Sequence, residues 1–127
     1  MTTSTLSLDA WLHRLETAHA QVIELGLERV DAVAHAMGLQ FNCPVITVGG
    51  TNGKGSTCAM LESMLLQGGY RVGLYTSPHL LRFNERARIN GEIVDDDKFC
   101  QAFARVEEVR AQLAISLTYF EFTTLAI

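Results

Sequence analysis

An α/β fold, in which a mostly parallel sheet flanked by helices carries a phosphate-binding loop, is expected from three features of the sequence. Val45-Ile46-Thr47-Val48 is an apolar, β-branched run of the kind that forms a buried parallel strand. It breaks at once into Gly49-Gly50-Thr51-Asn52-Gly53-Lys54-Gly55-Ser56-Thr57, glycines first, then a lysine, then hydroxyls. Ala59, Met60, Leu61, Met64 and Leu65 then recur at helical spacing before a second strand-like run, Tyr70-Arg71-Val72-Gly73-Leu74-Tyr75. Strand, loop, helix and strand in that order make one βαβ unit, whose crossover is expected to be right-handed. A doubly wound sheet needs more than two core strands, so the domain is expected to be incomplete in this chain and the chain to be the front part of a larger protein.

The loop carries the chemistry. Gly49, Gly50, Gly53 and Gly55 let the backbone turn sharply and bring its N–H groups against an anion with no Cβ in the way. A helix beginning near Gly55 aims its unpaired N–H groups and positive dipole end at the same point. Lys54 supplies a mobile positive charge for the β and γ phosphates of a nucleotide, and Ser56 or Thr57 offers a hydroxyl to Mg²⁺. The match to the general P-loop pattern is imperfect. Val48 stands where the first glycine is expected, and Gly55 separates the lysine from Ser56. Both departures point away from a generic nucleotide hydrolase.

The totals constrain where this chemistry can operate. The 127 residues, 48% of them hydrophobic, have the composition of a globular domain with a core. A net charge of −4 argues against a nucleic-acid or basic membrane-binding surface, so phosphate binding must be local. No apolar run approaches a membrane span, the start Met-Thr-Thr-Ser-Thr has neither region of a signal peptide, and the cytoplasm is the expected compartment. Cys43, Cys58 and Cys100 lack paired-ligand spacing and are expected to be free thiols.

Residues 1–44 are expected to form a helical lead and residues 45–127 the first part of the domain that carries the phosphate loop. In the lead, Ser7 is placed to cap a helix buried through Leu8, Trp11, Leu12 and Leu15. Gly26 separates it from a second helix, with Glu28 at its positive end, Val30, Val33, Ala34 and Met37 on one face and Gly38 as its stop. After the phosphate loop, Gly68-Gly69 ends the third helix, whose stripe is expected to pack on the sheet. Thr76-Ser77-Pro78-His79 leaves from the carboxyl end of the second strand, where ligands of such sheets bind. Asn90-Gly91 is the type I′ turn of a hairpin at about residues 86–94. Asp95-Asp96-Asp97 reads as the cap and acidic first turn of a helix carrying Phe99, Ala102, Phe103, Val106 and Leu113; a metal site is the competing reading. Thr118 and Glu121 have capping-box spacing ahead of a last buried helix.

Taken together, Gly50-Thr51-Asn52-Gly53-Lys54-Gly55-Ser56, Thr76-Ser77-Pro78-His79-Leu80, Asn84-Glu85-Arg86, Asn90-Gly91, Leu25-Gly26-Leu27-Glu28-Arg29-Val30 and Leu117-Thr118-Tyr119-Phe120-Glu121 resemble the N-terminal part of the bifunctional dihydrofolate synthase/folylpolyglutamate synthases, members of the Mur ligase superfamily. The resemblance runs from about Trp11 to Ile127. It implies an ATP- and Mg²⁺-dependent amide ligase that joins L-glutamate to dihydropteroate or to a folate through an acyl phosphate. It further implies that Thr51, Asn52, Gly53 and Lys54 bind ATP, with Gly55 and Ser56 completing the loop, and that Ser77 coordinates Mg²⁺ beside the Ser56 hydroxyl. Lys54 and Ser77 are then the catalytic candidates. The family's acidic and histidine metal partners and its modified lysine fall beyond Ile127.

For the pterin, the resemblance singles out Leu25, Gly26, Leu27 and Glu28 and then Thr118, Tyr119, Phe120 and Glu121. Phe120 or Tyr119 offers a ring to stack on, and an acidic side chain can accept pterin N–H bonds. Capping competes for Glu121, and a turn-forming hydroxyl before proline competes for Ser77. His79 is expected to order its loop, and Arg82 and Arg86 to be solvated charges or anion contacts. The complete enzyme is expected to be monomeric, with no nucleic-acid or membrane partner. The other readings of the chain are another P-loop phosphotransferase, such as a small-molecule kinase, and a catalytically incompetent nucleotide- or pterin-binding fragment.

Overall fold

A computed structural model of the chain describes residues 6–17, 26–79 and 81–127. They fall into two compact units, one made of Met1–Gln40 and Asp96–Ile127, the other of Phe41–Asp95.

The first unit is helical: α1 (Leu8–Thr17), α2 (Glu28–Met37), α4 (Asp96–Leu113) and α5 (Tyr119–Ala126), with α3 (Lys54–Gln67) belonging to the other unit. The starts of α1 and α4 have local causes. The Ala10 N–H donates to Ser7 Oγ at 3.2 Å, and Asp96 and Asp97 stand in the first turn of α4, where negative charge favours the dipole. At the end of α2, Gly38 takes φ 72°, the left-handed conformation in which glycine carries no Cβ penalty. The Gly38 N–H then reaches His35 O and the Leu39 N–H reaches Ala34 O, each at 3.1 Å. Spacing of three and four residues puts Phe99, Cys100, Phe103, Val106 and Val109 on the buried face of α4, against Leu8, Trp11 and Leu15 of α1 and Phe122 and Leu125 of α5. Trp11, Phe103 and Phe122 form a tilted aromatic triangle with centroids 5.8–6.2 Å apart. Arg14 crosses from α1 to Glu107 of α4 at 3.0 Å while its guanidinium lies 5.4 Å from the Trp11 ring.

The second unit holds α3, then β1 (Gly73–Tyr75), a 3₁₀ turn at Phe83–Arg86, β2 (Ala87–Ile89) and β3 (Glu92–Ile93). The sheet runs β1-β2-β3, every pair antiparallel, with Leu74 opposite Arg88 and Ile89 opposite Glu92. Asn90 (φ 53°) and Gly91 (φ 84°) both take the positive φ that a type I′ turn requires. Asn90 also pins the preceding chain, since its side-chain oxygen accepts from the Val72 N–H at 2.9 Å and its own N–H donates to Val72 O at 2.8 Å.

The chain is therefore an incomplete α/β domain, and it departs from expectation in two ways. The strand expected at Val45–Val48 and its parallel pairing with Tyr70–Tyr75 do not form among the described residues; Val45 and Ile46 are 60% and 61% exposed. A central parallel strand depends on neighbours on both sides and layers on both faces, and the described residues supply neither. In α3, Met60 and Met64 are exposed, and the covered side carries Leu61, Glu62, Leu65 and Leu66. That helix is apolar nearly all round, so spacing alone does not select its inner face.

Candidate functional site

The phosphate loop lies wholly in the second unit. Gly50 (φ 140°) and Gly53 (φ 77°) occupy conformations that residues with a Cβ rarely adopt, and a Cβ built on Gly49, Gly50, Gly53 or Gly55 would have no atom within 4 Å. The bend thus presents bare backbone to open space, with Thr51, Asn52, Gly53, Lys54, Gly55 and Ser56 all exposed. Gly53 is the residue at which α3 begins, and its carbonyl takes the first helical bond, from the Thr57 N–H at 2.9 Å. The N–H groups of Lys54, Gly55 and Ser56 precede any helical acceptor, which leaves three donors and the positive dipole end at the bend. Lys54 folds back over the loop, its Nζ donating to Gly50 O. The bend gathers unpaired amides, an ammonium and a positive dipole end, the kinds of group that bind phosphate oxygens.

Ser77 follows the carboxyl end of β1 in the same unit and is exposed, in a cis peptide with Pro78. Its loop is held on both sides. The Thr76 N–H donates to Arg86 O at 2.9 Å, and Arg86 Nε donates to His79 Nδ1, also at 2.9 Å. The Phe83 ring meets His79 edge-on at 5.8 Å and lies 5.2 Å from the Arg86 guanidinium. His79 is the loop-ordering group the sequence suggests, and Arg86 is a buried part of the same clamp. Ser56 and Ser77 offer hard oxygen donors of the class Mg²⁺ takes, and among the described residues no group of three or more His, Cys, Asp or Glu side chains is placed to hold a metal ion. In the acidic run at 95–97, Asp96 and Asp97 form the first turn of α4.

The two segments that the resemblance singles out for the pterin lie in the first unit, apart from Leu25, which is outside the described residues. Gly26 has φ 108°, and a Cβ there would sit 2.5 Å from Glu28 Oε1, so the Glu28 carboxylate folds back over the glycine. Leu27, 78% exposed, and Phe120, 54% exposed, present large apolar faces, while Tyr119 is half-buried and Thr118 buried. The two segments are brought together by an interaction that spacing does not reveal. Arg29 Nε donates to Glu121 Oε1 at 3.2 Å, and the Arg29 terminal nitrogen donates to Glu121 Oε2. Glu121 also completes its capping box: Oε1 accepts from the Thr118 N–H at 3.0 Å, and the Glu121 N–H donates to Thr118 Oγ1 at 3.2 Å. Burial pushes the Glu121 carboxyl up, but the Arg29 hydrogen bond and charge and the Thr118 bonds together outweigh it and hold the group below the ordinary carboxylate range.

Two pairings have no motif in the sequence: Glu62, whose buried carboxylate pairs with Arg88 Nε at 3.0 Å, and Arg29 with Glu121. A glutamate set among Leu61, Leu65 and Leu66 was the one available signal for the first. The second joins residues 92 positions apart and leaves no local trace.

No family model matches the chain. The dihydrofolate synthase/folylpolyglutamate synthase of Haemophilus influenzae is 50% identical over 124 residues, which is 97% of this chain and 28% of that protein. Among solved structures, Escherichia coli FolC in complex with DHPP and ADP superposes with a TM-score of 0.91 at 47% identity, covering 97% of this chain and 30% of that one. The chain belongs with the dihydrofolate synthase/folylpolyglutamate synthases. A further bifunctional synthase structure, with Mn, AMPPNP and L-glutamate bound, has a TM-score of 0.87 at 52% identity over 97% of this chain and 29% of its own. The chain thus spans somewhat over a quarter of the length of the synthases it matches, within a Mur-ligase-type fold. No described helix is long and apolar enough to cross a membrane.

Proposed function

We propose that this chain is the nucleotide- and pterin-binding front portion of a cytoplasmic, ATP-dependent ligase that adds L-glutamate to dihydropteroate and to folates. The observation that carries the reading is the glycine bend with Lys54 folded across it, in a chain about half identical to synthases over 97% of its length. Support for the substrates comes from what those relatives hold in their crystals: ADP or AMPPNP, Mn, DHPP and L-glutamate.

In this reading the bend at Thr51, Asn52, Gly53, Gly55 and Ser56 holds the phosphates and Lys54 neutralises the β and γ oxygens. A carboxylate oxygen of the pteroate attacks the γ-phosphorus, ADP departs, and an acyl phosphate remains. The glutamate amine then attacks the acyl carbon, phosphate leaves, and the amide forms. Mg²⁺ supplies charge neutralisation between phosphate oxygens when bound; Ser77 and Ser56 are the hydroxyls that would hold it here. The protein's contribution is positioning and fixed charge. Leu27 and Phe120 supply apolar faces to the pterin, with Gly26, Glu28, Thr118 and Tyr119 around them, and Leu25 completes the first segment.

Phosphate release by the complete protein, measured with ATP and dihydropteroate, tests the reading. Release that depends on L-glutamate and yields dihydrofolate supports it; ATP turnover indifferent to glutamate identifies a phosphotransferase instead. The 127 residues alone are expected not to turn over, because they span only 28% of the Haemophilus influenzae synthase and 30% of the Escherichia coli one.

A further inference from the structure

The Arg29–Glu121 pair is larger than the capping role of Glu121 requires. A capping box is complete with the two reciprocal bonds to Thr118, and a neutral glutamine serves as well as a glutamate at that position. Here the side chain is an ion, its residue 6% exposed, and a two-pronged guanidinium from another helix is matched to its two oxygens. Forked pairing of this kind fixes both distance and direction, which a single lysine ammonium does not.

What the pair joins gives it meaning. Arg29 directly follows Gly26-Leu27-Glu28 at the start of α2, and Glu121 directly follows Thr118-Tyr119-Phe120 at the start of α5. One ion pair therefore sets the spacing between two segments whose exposed members, Leu27 and Phe120, are apolar. Three N–H donors, one from Thr118 and two from Arg29, already occupy three of the roughly four acceptor positions of the Glu121 carboxylate. A carboxylate so occupied is suited to holding a frame and poorly suited to receiving a ligand's N–H groups directly.

We propose that Arg29 is a positioning residue for the pterin: through Glu121 it fixes the separation of the Leu27 and Phe120 segments, between which a flat heterocycle is held. Glu121 acts in the same frame and is not itself the pterin's hydrogen-bond acceptor. This rests on the reading of these two segments as the pterin site.

The test is steady-state kinetics of the complete ligase and its Arg29→Met, Arg29→Lys and Glu121→Gln variants, with KM determined separately for dihydropteroate, ATP and L-glutamate. Arg29→Met is expected to raise KM for dihydropteroate by about tenfold while KM for ATP and for glutamate stays within about twofold. Glu121→Gln, which keeps the cap and loses the ion pair, is expected to do the same, and Arg29→Lys to recover part of the loss. Where Arg29→Met fails to fold, the Arg29→Lys and Glu121→Gln comparison carries the test. An unchanged KM for dihydropteroate in Glu121→Gln, or equal losses for all three substrates, overturns the proposal. An unaltered ligase whose turnover does not saturate with dihydropteroate removes the reading of the site, and the proposal with it.

Discussion

Arg88 donates from Nε to Glu62 Oε2 at 3.0 Å and from a terminal nitrogen to Gly91 O at 2.7 Å, so one guanidinium ties the middle of α3 to the turn of the hairpin. The Glu62 side chain is 9% exposed and depends on that partner for its charge. Arg88→Met is expected to lower stability by about 2–3 kcal/mol, because it strands a buried carboxylate. Glu62→Gln should cost less, since the amide can still accept from Arg88. Denaturant midpoints of the two variants check the order, and a larger loss in Glu62→Gln contradicts it.

The Glu121 carboxyl titrates below its ordinary value of 4.5 when folded. A depressed carboxyl contributes stability that is fully present above its unfolded value and is lost as pH falls through the folded one. The wild-type chain should therefore lose stability as pH falls below about 4.5, and Glu121→Gln should be less stable at neutral pH yet show a shallower acid limb. Thermal midpoints between neutral and acid pH measure both. Parallel limbs in the two proteins would show that the pair contributes nothing.

Trp11 is fully buried against Phe103 and Phe122 and is the chain's single tryptophan. Trp11→Ala is expected to cost about 3–5 kcal/mol, the range for emptying a large aromatic site in a packed core. Wild-type indole emission should be blue-shifted in the folded chain and move red on unfolding. A red emission maximum under native conditions would contradict the burial.

Local rules made much of the fold legible. Ser7, Gly38, Asn90-Gly91 and the Thr118–Glu121 box each act through neighbours a few residues away, and each performs the role its type and spacing imply. The strand that the run Val45–Val48 predicts does not form among the described residues, because a parallel strand exists only with partners distant in sequence. The inner face of α3 was ambiguous for a related reason: apolar residues surround it, and Arg88, far along the chain, decides which side is covered. In the candidate site, the glycine bend with Lys54 folded over it was legible because it is built from contiguous residues. Arg29 and Glu121 meet only after α2 and α5 pack, so neither residue's partner could be read from its own surroundings in the chain.

The bend from Gly49 to Ser56 is expected to clasp nucleotide phosphates beneath the Lys54 amine. Titration calorimetry of the complete protein and its Lys54→Ala variant with AMPPNP and Mg²⁺ measures this directly. The account predicts weaker binding by about 10- to 100-fold in the variant, the worth of one charge-assisted contact to phosphate. Equal affinity in the two proteins would contradict it.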